Sequence, residues 1–238
     1  MAYDAESSSS RSVTTGILQP ADHTNNGILM ETIVDDYLYS CQLSEIDNQK
    51  LFNKCLVMER IINETTPPVE KGWYGNYTSA KNQFYNLYTF PVKELTQLYF
   101  LLQKSIYPVL DPNTDYMLKA WMNVYYNGDS VSWHPHWPAE CNVWHGFYCV
   151  NVGDNESATL YKIPGISEVI TVPSKNGKLV FGKSAGDLHR STPWTQEKPT
   201  ITLAFDVIPS WVINKHEDTT MDNIGIHHYI PFKSSLIN

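Results

Sequence analysis

His134 and His136, on either side of Pro135, and His189 far along the chain are the side chains whose types and spacing could do chemistry together. On a strand, side chains at i and i+2 leave from the same face, so this pair can present both imidazoles to one cavity. The third imidazole, in Gly186-Asp-Leu-His-Arg-Ser, would complete three ligands on one side of a divalent metal. That arrangement leaves the opposite positions open for substrate or dioxygen. The plain alternative is a histidine pair that only hydrogen-bonds neighbouring loops. The other five histidines, His23, His145, His216, His227 and His228, have no partner at such spacing and read as structural or surface residues.

The elements that must position these groups fall into two textures. Residues 1–28 are polar and rich in Ser, Thr and Asn, and read as a flexible arm. After it, Ser44 and Asp47 cap a helix carrying Leu51, Phe52, Cys55, Leu56, Met58 and Ile61 at helical spacing, stopped by Pro67-Pro68. Pro91 opens a second helix with Val92, Leu95, Leu98, Tyr99, Leu102 and Ile106 on one face, ended by Pro108. Between them Gly72-Trp-Tyr-Gly-Asn-Tyr reads as an aromatic loop. From about 117 the helical period gives way to short runs rich in Val, Tyr, Phe, Ile and Thr, near 117–126, 129–134, 143–151, 157–162, 168–172, 178–182 and 200–208. Short strands at these intervals indicate a sandwich, jelly roll or barrel, not alternating β and α units. The expected architecture is mainly β with an N-terminal helical layer: helical support over 29–112, a β core over 117–208 and an extension over 209–238, all one domain.

Composition narrows the partners. Of 238 residues, 42% are hydrophobic, enough for a sizeable core, and 13% are aromatic. The net charge of -8 argues against a broad grip on nucleic-acid phosphates. No apolar run is long enough to span a bilayer, and the polar start lacks the pattern of a secretory leader, which places the chain in the cytoplasm with no membrane partner. Cys41, Cys55, Cys141 and Cys149 show no CxxC spacing and read as free thiols.

The segment Trp121-Met-Asn123-Val-Tyr125-Tyr-Asn-Gly128-Asp-Ser-Val-Ser-Trp133-His134-Pro-His136 resembles the Asn-x-Tyr, Gly, His-x-Asp segment of the iron(II) and 2-oxoglutarate-dependent oxygenases. Gly177 to Gly182, then His189, then Thr200 to Asp206 resemble that superfamily's run of turn, strand, distal histidine and final strand. Gly146-Phe-Tyr-Cys-Val-Asn151 is similar to the Gly-x-Tyr-Tyr strand of its short members, some of which carry His-x-His. The resemblance covers about 117–208 and implies a double-stranded β-helix, or jelly roll.

It also implies that His134, His136 and His189 hold iron(II), and that Asn123 and Tyr125 hydrogen-bond 2-oxoglutarate. The implied reaction is decarboxylation of 2-oxoglutarate to succinate, coupled through dioxygen to oxidation of a substrate C–H bond. The sequence departs from the pattern twice. His136 stands where the family has a carboxylate, so either three histidines form the site or an acid such as Glu140, Asp129 or Asp187 completes it. Thr200 stands where the family anchors the co-substrate with Arg or Lys, so another cation must reach a buried dicarboxylate: Lys198, Arg190 or Lys162. Trp137, Trp194 and Tyr148 are the candidate substrate-pocket residues, Trp137 and Trp194 at its mouth. The substrate class this favours is a small molecule, peptide or protein. Two further readings stand beside it: a three-histidine dioxygenase of cupin-like type without 2-oxoglutarate, and a non-catalytic β-sandwich binding module.

Overall fold

The computed structural model describes residues 23–25, 28–69, 77–152, 157–213 and 229–234. Its strands are β1 (His23–Asn25), β2 (Ile28–Val34), β3 (Leu38–Gln42), β4 (Tyr116–Tyr125), β5 (Trp144–Asn151), β6 (Ala158–Lys162), β7 (Ile170–Pro173), β8 (Lys178–Lys183), β9 (Leu188–Ser191), β10 (Thr200–Pro209) and β11 (Ile230–Lys233). The helices longer than one turn are α1 (Asn48–Thr65) and α3 (Lys93–Ile106), with the short α2 (Tyr77–Ala80) between them. Eight strands form one sheet in the order β1-β2-β3-β8-β5-β10-β4-β11, and β7-β6-β9 form a second. Every pairing is antiparallel. Two antiparallel sheets facing each other make the jelly roll expected from the strand spacing.

Helix α1 begins one residue after Asp47, whose carboxylate accepts from Lys50 N at 3.1 Å. The cap is therefore Asp47 and not Ser44. Helix α1 buries Leu51, Phe52, Cys55, Met58 and Ile62, and α3 buries Leu95, Leu98, Leu102 and Ile106. Both stripes join one core with Leu118, Met122, Tyr148, Leu203 and Phe205 on the helix-facing side of β4, β5 and β10. A fully buried Leu or Phe contributes about 1.5–3 kcal/mol relative to leaving it in water, so this face fastens the helices to the sheet. Gly146 on β5 is required by close approach: a Cβ there would stand 2.3 Å from Val180 O and 2.6 Å from the Phe205 ring.

Three expectations change. Strands β2 and β3 occupy part of the segment read as helical support; Ile28 and Met30 are buried while Leu29 is 53% exposed, an alternation masked in sequence by the polar residues that follow. The expected strand at 129–134 is mostly a loop. Its entry is a turn in which Gly128 has φ +88° and Asp129 Oδ2 accepts from Tyr126 N, and only His134 pairs, with His189. Strand β9, which carries His189, is a short strand that the apolar pattern did not mark. The stretch 1–22, residues 72–76 of the aromatic loop, and the tail with His216, Ile224, His227 and His228 lie outside the described residues. Among the described residues no helix is long and apolar enough to cross a membrane, and all four cysteines are buried free thiols.

Candidate metal centre

The other face of β4, β5 and β10 is chemically different. Pleating alternates side chains, so Lys119, Trp121, Asn123 and Tyr125 on β4, Thr200, Thr202, Ala204 and Asp206 on β10, and His145 and Phe147 on β5 all line one cavity of about 240 Å³. The register stacks them in rungs: Tyr125 opposite Thr200, Asn123 opposite Thr202, Trp121 opposite Ala204, and Lys119 opposite Asp206, which faces His145 on its other side. The far wall comes from β9 and residues 131–137. His134 and His189 exchange both backbone hydrogen bonds at 3.1 Å, and Ser191 N donates to Val131 O.

That bridge brings the sequence-distant histidine onto the pair. One nitrogen from each of His134, His136 and His189 lies within 4.8 Å of the others. Ring centroids are 5.3 Å apart for His134 and His136, 4.4 Å for His134 and His189, and 4.8 Å for His136 and His189. In each ring Nδ1 faces an oxygen. His134 Nδ1 donates to Ser132 O at 2.7 Å, His136 Nδ1 donates to Asp206 Oδ1 at 2.6 Å, and His189 Nδ1 stands 3.4 Å from Asp187 Oδ2. A carbonyl or ionised carboxylate can only accept, so Nδ1 of His134 and of His136 carries a proton. Burial, with the His136 ring beside it, pulls His134 down to about 4, and burial holds His189 well below the usual histidine value. Both are neutral at pH 7, the form that ligates a metal.

Two carboxylates surround the cluster. Asp206 Oδ2 accepts from Trp137 Nε1 at 3.0 Å, and although burial opposes ionisation, His136, Trp137 and Lys119 hold its carboxyl below the ordinary range. Asp187, 1% exposed, sits 3.2 Å from His145 Nε2 as well as beside His189, and these two rings outweigh burial to hold it low. Neither of those contacts meets hydrogen-bond geometry, so His145 Nε2, both Asp187 oxygens and His189 Nδ1 are buried polar atoms with no hydrogen bond. His145, Asp187 and His189 accordingly form a second convergent set that shares His189 with the first.

Of the residues singled out in the sequence, the structure gathers His134, His136, His189, Asn123, Tyr125, Thr200, Arg190, Trp137 and Trp194 around the cavity. Asn123 Nδ2 donates to Thr202 Oγ1 at 3.2 Å while its Oδ1 has no hydrogen bond, and burial pushes Tyr125 up to about 12, so the phenol stays protonated. The Thr200 hydroxyl donates to Asn151 O. Arg190 is exposed at the rim, its guanidinium 5.1 Å from the centre of the Trp133 ring, which the exposed Lys162 also approaches at 4.5 Å. Trp194 is 2% exposed and forms wall, packed with Tyr125 and Val131, instead of standing at the mouth.

Tyr148 and Lys198 lie elsewhere. Tyr148 is on the helix-facing side of β5 and its hydroxyl donates to Asn48 Oδ1 at 2.7 Å. The Lys198 ammonium lies 4.6 Å from the centre of the Phe52 ring on α1. Glu140 is exposed and Asp129 closes the turn at Tyr126, so neither joins the cluster, whereas Asp187 does. Cys141 packs with Val143, Ile208 and Val212, away from the rings. Sequence reasoning missed His145, Asp206 and Lys119. A signal existed for each: His145 alternates with Phe147 on one strand face, and Lys119 and Asp206 are the charged residues of β4 and β10.

No protein-family model matches the chain, and no curated protein matches it by sequence. Solved structures do match in fold. A prolyl hydroxylase from Trichoplax adhaerens, in complex with a hypoxia inducible factor oxygen degradation domain peptide fragment, is similar with TM-score 0.51 and 12% identity, over 72% of this chain and 84% of that one. A Pseudomonas putida prolyl-4-hydroxylase gives TM-score 0.50 and 13% identity, over 74% and 94%. The non-heme alpha-ketoglutarate-dependent epimerase SnoN from nogalamycin biosynthesis gives 0.51 and 12%, over 73% and 78%. The chain shares its fold with 2-oxoglutarate-dependent oxygenases.

Proposed function

We propose that the protein is a non-haem iron(II) oxygenase, with the metal held by Nε2 of His134, His136 and His189, that couples oxidative decarboxylation of 2-oxoglutarate to oxidation of a C–H bond. The observation that carries this reading is the set of three converging imidazoles, two of which donate Nδ1 to an oxygen while the third has the Asp187 carboxylate 3.4 Å away, because such outer contacts aim and strengthen ligating nitrogens. Imidazole suits iron, and three neutral ligands leave the positive charge of a divalent ion to be balanced by Asp187 and Asp206 behind the rings. Bound there, iron(II) with 2-oxoglutarate would activate dioxygen. The chain's own part is to bind, orient and keep water out: Asn123 and Tyr125 offer an amide and a protonated phenol to the co-substrate, and Trp121, Trp137 and Trp194 wall the cavity. The substrate is a small molecule or a side chain of a peptide or protein. The expected result is one equivalent of iron per chain, lost in His134→Ala and in His189→Ala, and succinate formed from 2-oxoglutarate by the wild type. Retention of full iron by both variants would falsify the assignment.

A second reading rests on the buried atoms without hydrogen bonds at His145, Asp187 and His189. Here the ion sits on the other side of His189, in a two-histidine, one-carboxylate set. Iron content separates the two: His136→Ala loses metal under the first reading and His145→Ala under the second. Iron without succinate formation favours the cupin-like three-histidine dioxygenase instead.

A further inference from the structure

Of the lysines and arginines among the described residues, Lys119 and Arg190 line the cavity. They are not equivalent. Arg190 is exposed at the rim, whereas Lys119 is partly buried on the floor, on the rung that also carries Asp206 and His145. At the other end of the strands β10 presents the hydroxyls of Thr200 and Thr202 and no cation.

An ammonium has three donors to place, and burying one without partners is costly. Lys119 Nζ donates one long hydrogen bond, 3.4 Å to Asn82 Oδ1, and lies 5.8 Å from the centre of the Trp121 ring. The carboxylate across the rung does not absorb it. Asp206 Oδ1 accepts from His136 Nδ1 at 2.6 Å and Oδ2 from Trp137 Nε1 at 3.0 Å, and neither accepts from Lys119. Burial pulls the Lys119 ammonium below the usual lysine value, and the field of Asp206 pushes the other way.

We infer that Lys119 receives a carboxylate of the acid that binds beside the metal. The inference rests on the metal reading above and specifies what its cavity accepts. A carboxylate between Lys119 and Asn82 would satisfy the ammonium in a place screened from water, where a charge-assisted hydrogen bond is strong. Two molecules can supply that group, the co-substrate through its distal carboxylate or an acidic substrate through its own, and both meet the same cation.

The test uses nickel(II)-loaded full-length protein, so that nothing turns over, and reads binding by calorimetry. The probes are 2-oxoglutarate, pyruvate, which has the same 2-oxoacid head without the distal carboxylate, and glutarate added to protein saturated with pyruvate. Lys119→Met is expected to weaken either 2-oxoglutarate or glutarate about ten- to a hundredfold, the size of one lost hydrogen bond to a charged group, while pyruvate is unchanged. Loss on 2-oxoglutarate identifies the co-substrate as the source, and loss on glutarate alone identifies the substrate. Lys119→Arg should recover part of the affinity, and Lys119→Gln, which keeps a donor without charge, should behave like Lys119→Met and stands in if that variant does not fold. The inference is overturned if no probe weakens, if pyruvate weakens as much as 2-oxoglutarate, or if wild type takes up neither diacid. A fall in nickel content with Lys119→Met also overturns it, since Lys119 would then act through Asp206 and His136. Failure of the metal reading looks different: the wild type itself holds no nickel.

Discussion

The two faces of β4, β5 and β10 are made by alternate residues of the same strands, and they obey opposite rules. Toward α1 and α3 stand Leu118, Met122, Tyr148, Leu203 and Phe205, where apolar packing supplies most of the energy. Toward the cavity stand the buried Asn123, His145 and Asp206 and the partly buried Lys119, polar groups whose hydrogen bonds and charges shape the site. The difference teaches that stability and chemistry are separated here by one residue of register. A change on one face should leave the other intact.

The largest test of that separation is on the packed face. Phe205→Ala should cost about 3–5 kcal/mol in urea unfolding, the range for truncating a buried aromatic, and leave metal stoichiometry unchanged. Loss of metal with the fold retained would break the comparison. On the cavity face the order should invert. Asp206→Asn removes the anion behind His136, and metal affinity should fall about ten- to a hundredfold in a competition titration, while the midpoint of unfolding in the metal-free protein moves little. The smallest effect sharpens the boundary: Tyr148→Phe removes the hydrogen bond to Asn48 and should cost about 1 kcal/mol with no change in metal or 2-oxoglutarate binding. A change in 2-oxoglutarate affinity would return Tyr148 to the pocket.

Much of this is legible in the sequence. Helical spacing located α1 and α3 because a stripe every three to four residues is a local property, and the aliphatic and aromatic runs located β4, β5, β8 and β10 for the same reason. Strands β2 and β9 escaped because four-to-seven-residue segments mixing Met, Glu, Thr, His and Arg carry little period. Asp47 took the cap from Ser44 because the helix begins at Asn48, a detail of geometry that composition does not encode. Position among the aromatics that bracket the proposed ligands in sequence suggested Tyr148 for the pocket, but the pleat of β5 turns it toward the helices and puts His145 and Phe147 inside.

By itself, the sequence determined the kinds of element and pointed to the three imidazoles worth joining, consequences of local spacing and of motif order, although the strand expected to hold His134 and His136 on one face is mostly loop. Only the tertiary structure decided which oxygen stands behind each ring, that His145 and Asp187 close in beside His189, that Lys198 leaves for Phe52 and that Lys119 occupies the cavity floor. The reason is physical. Alternation within a strand is local, but which strands are neighbours and in what register is settled by burial summed over the whole chain, and the rung through Lys119, Asp206 and His145 exists only once β4, β10 and β5 lie side by side.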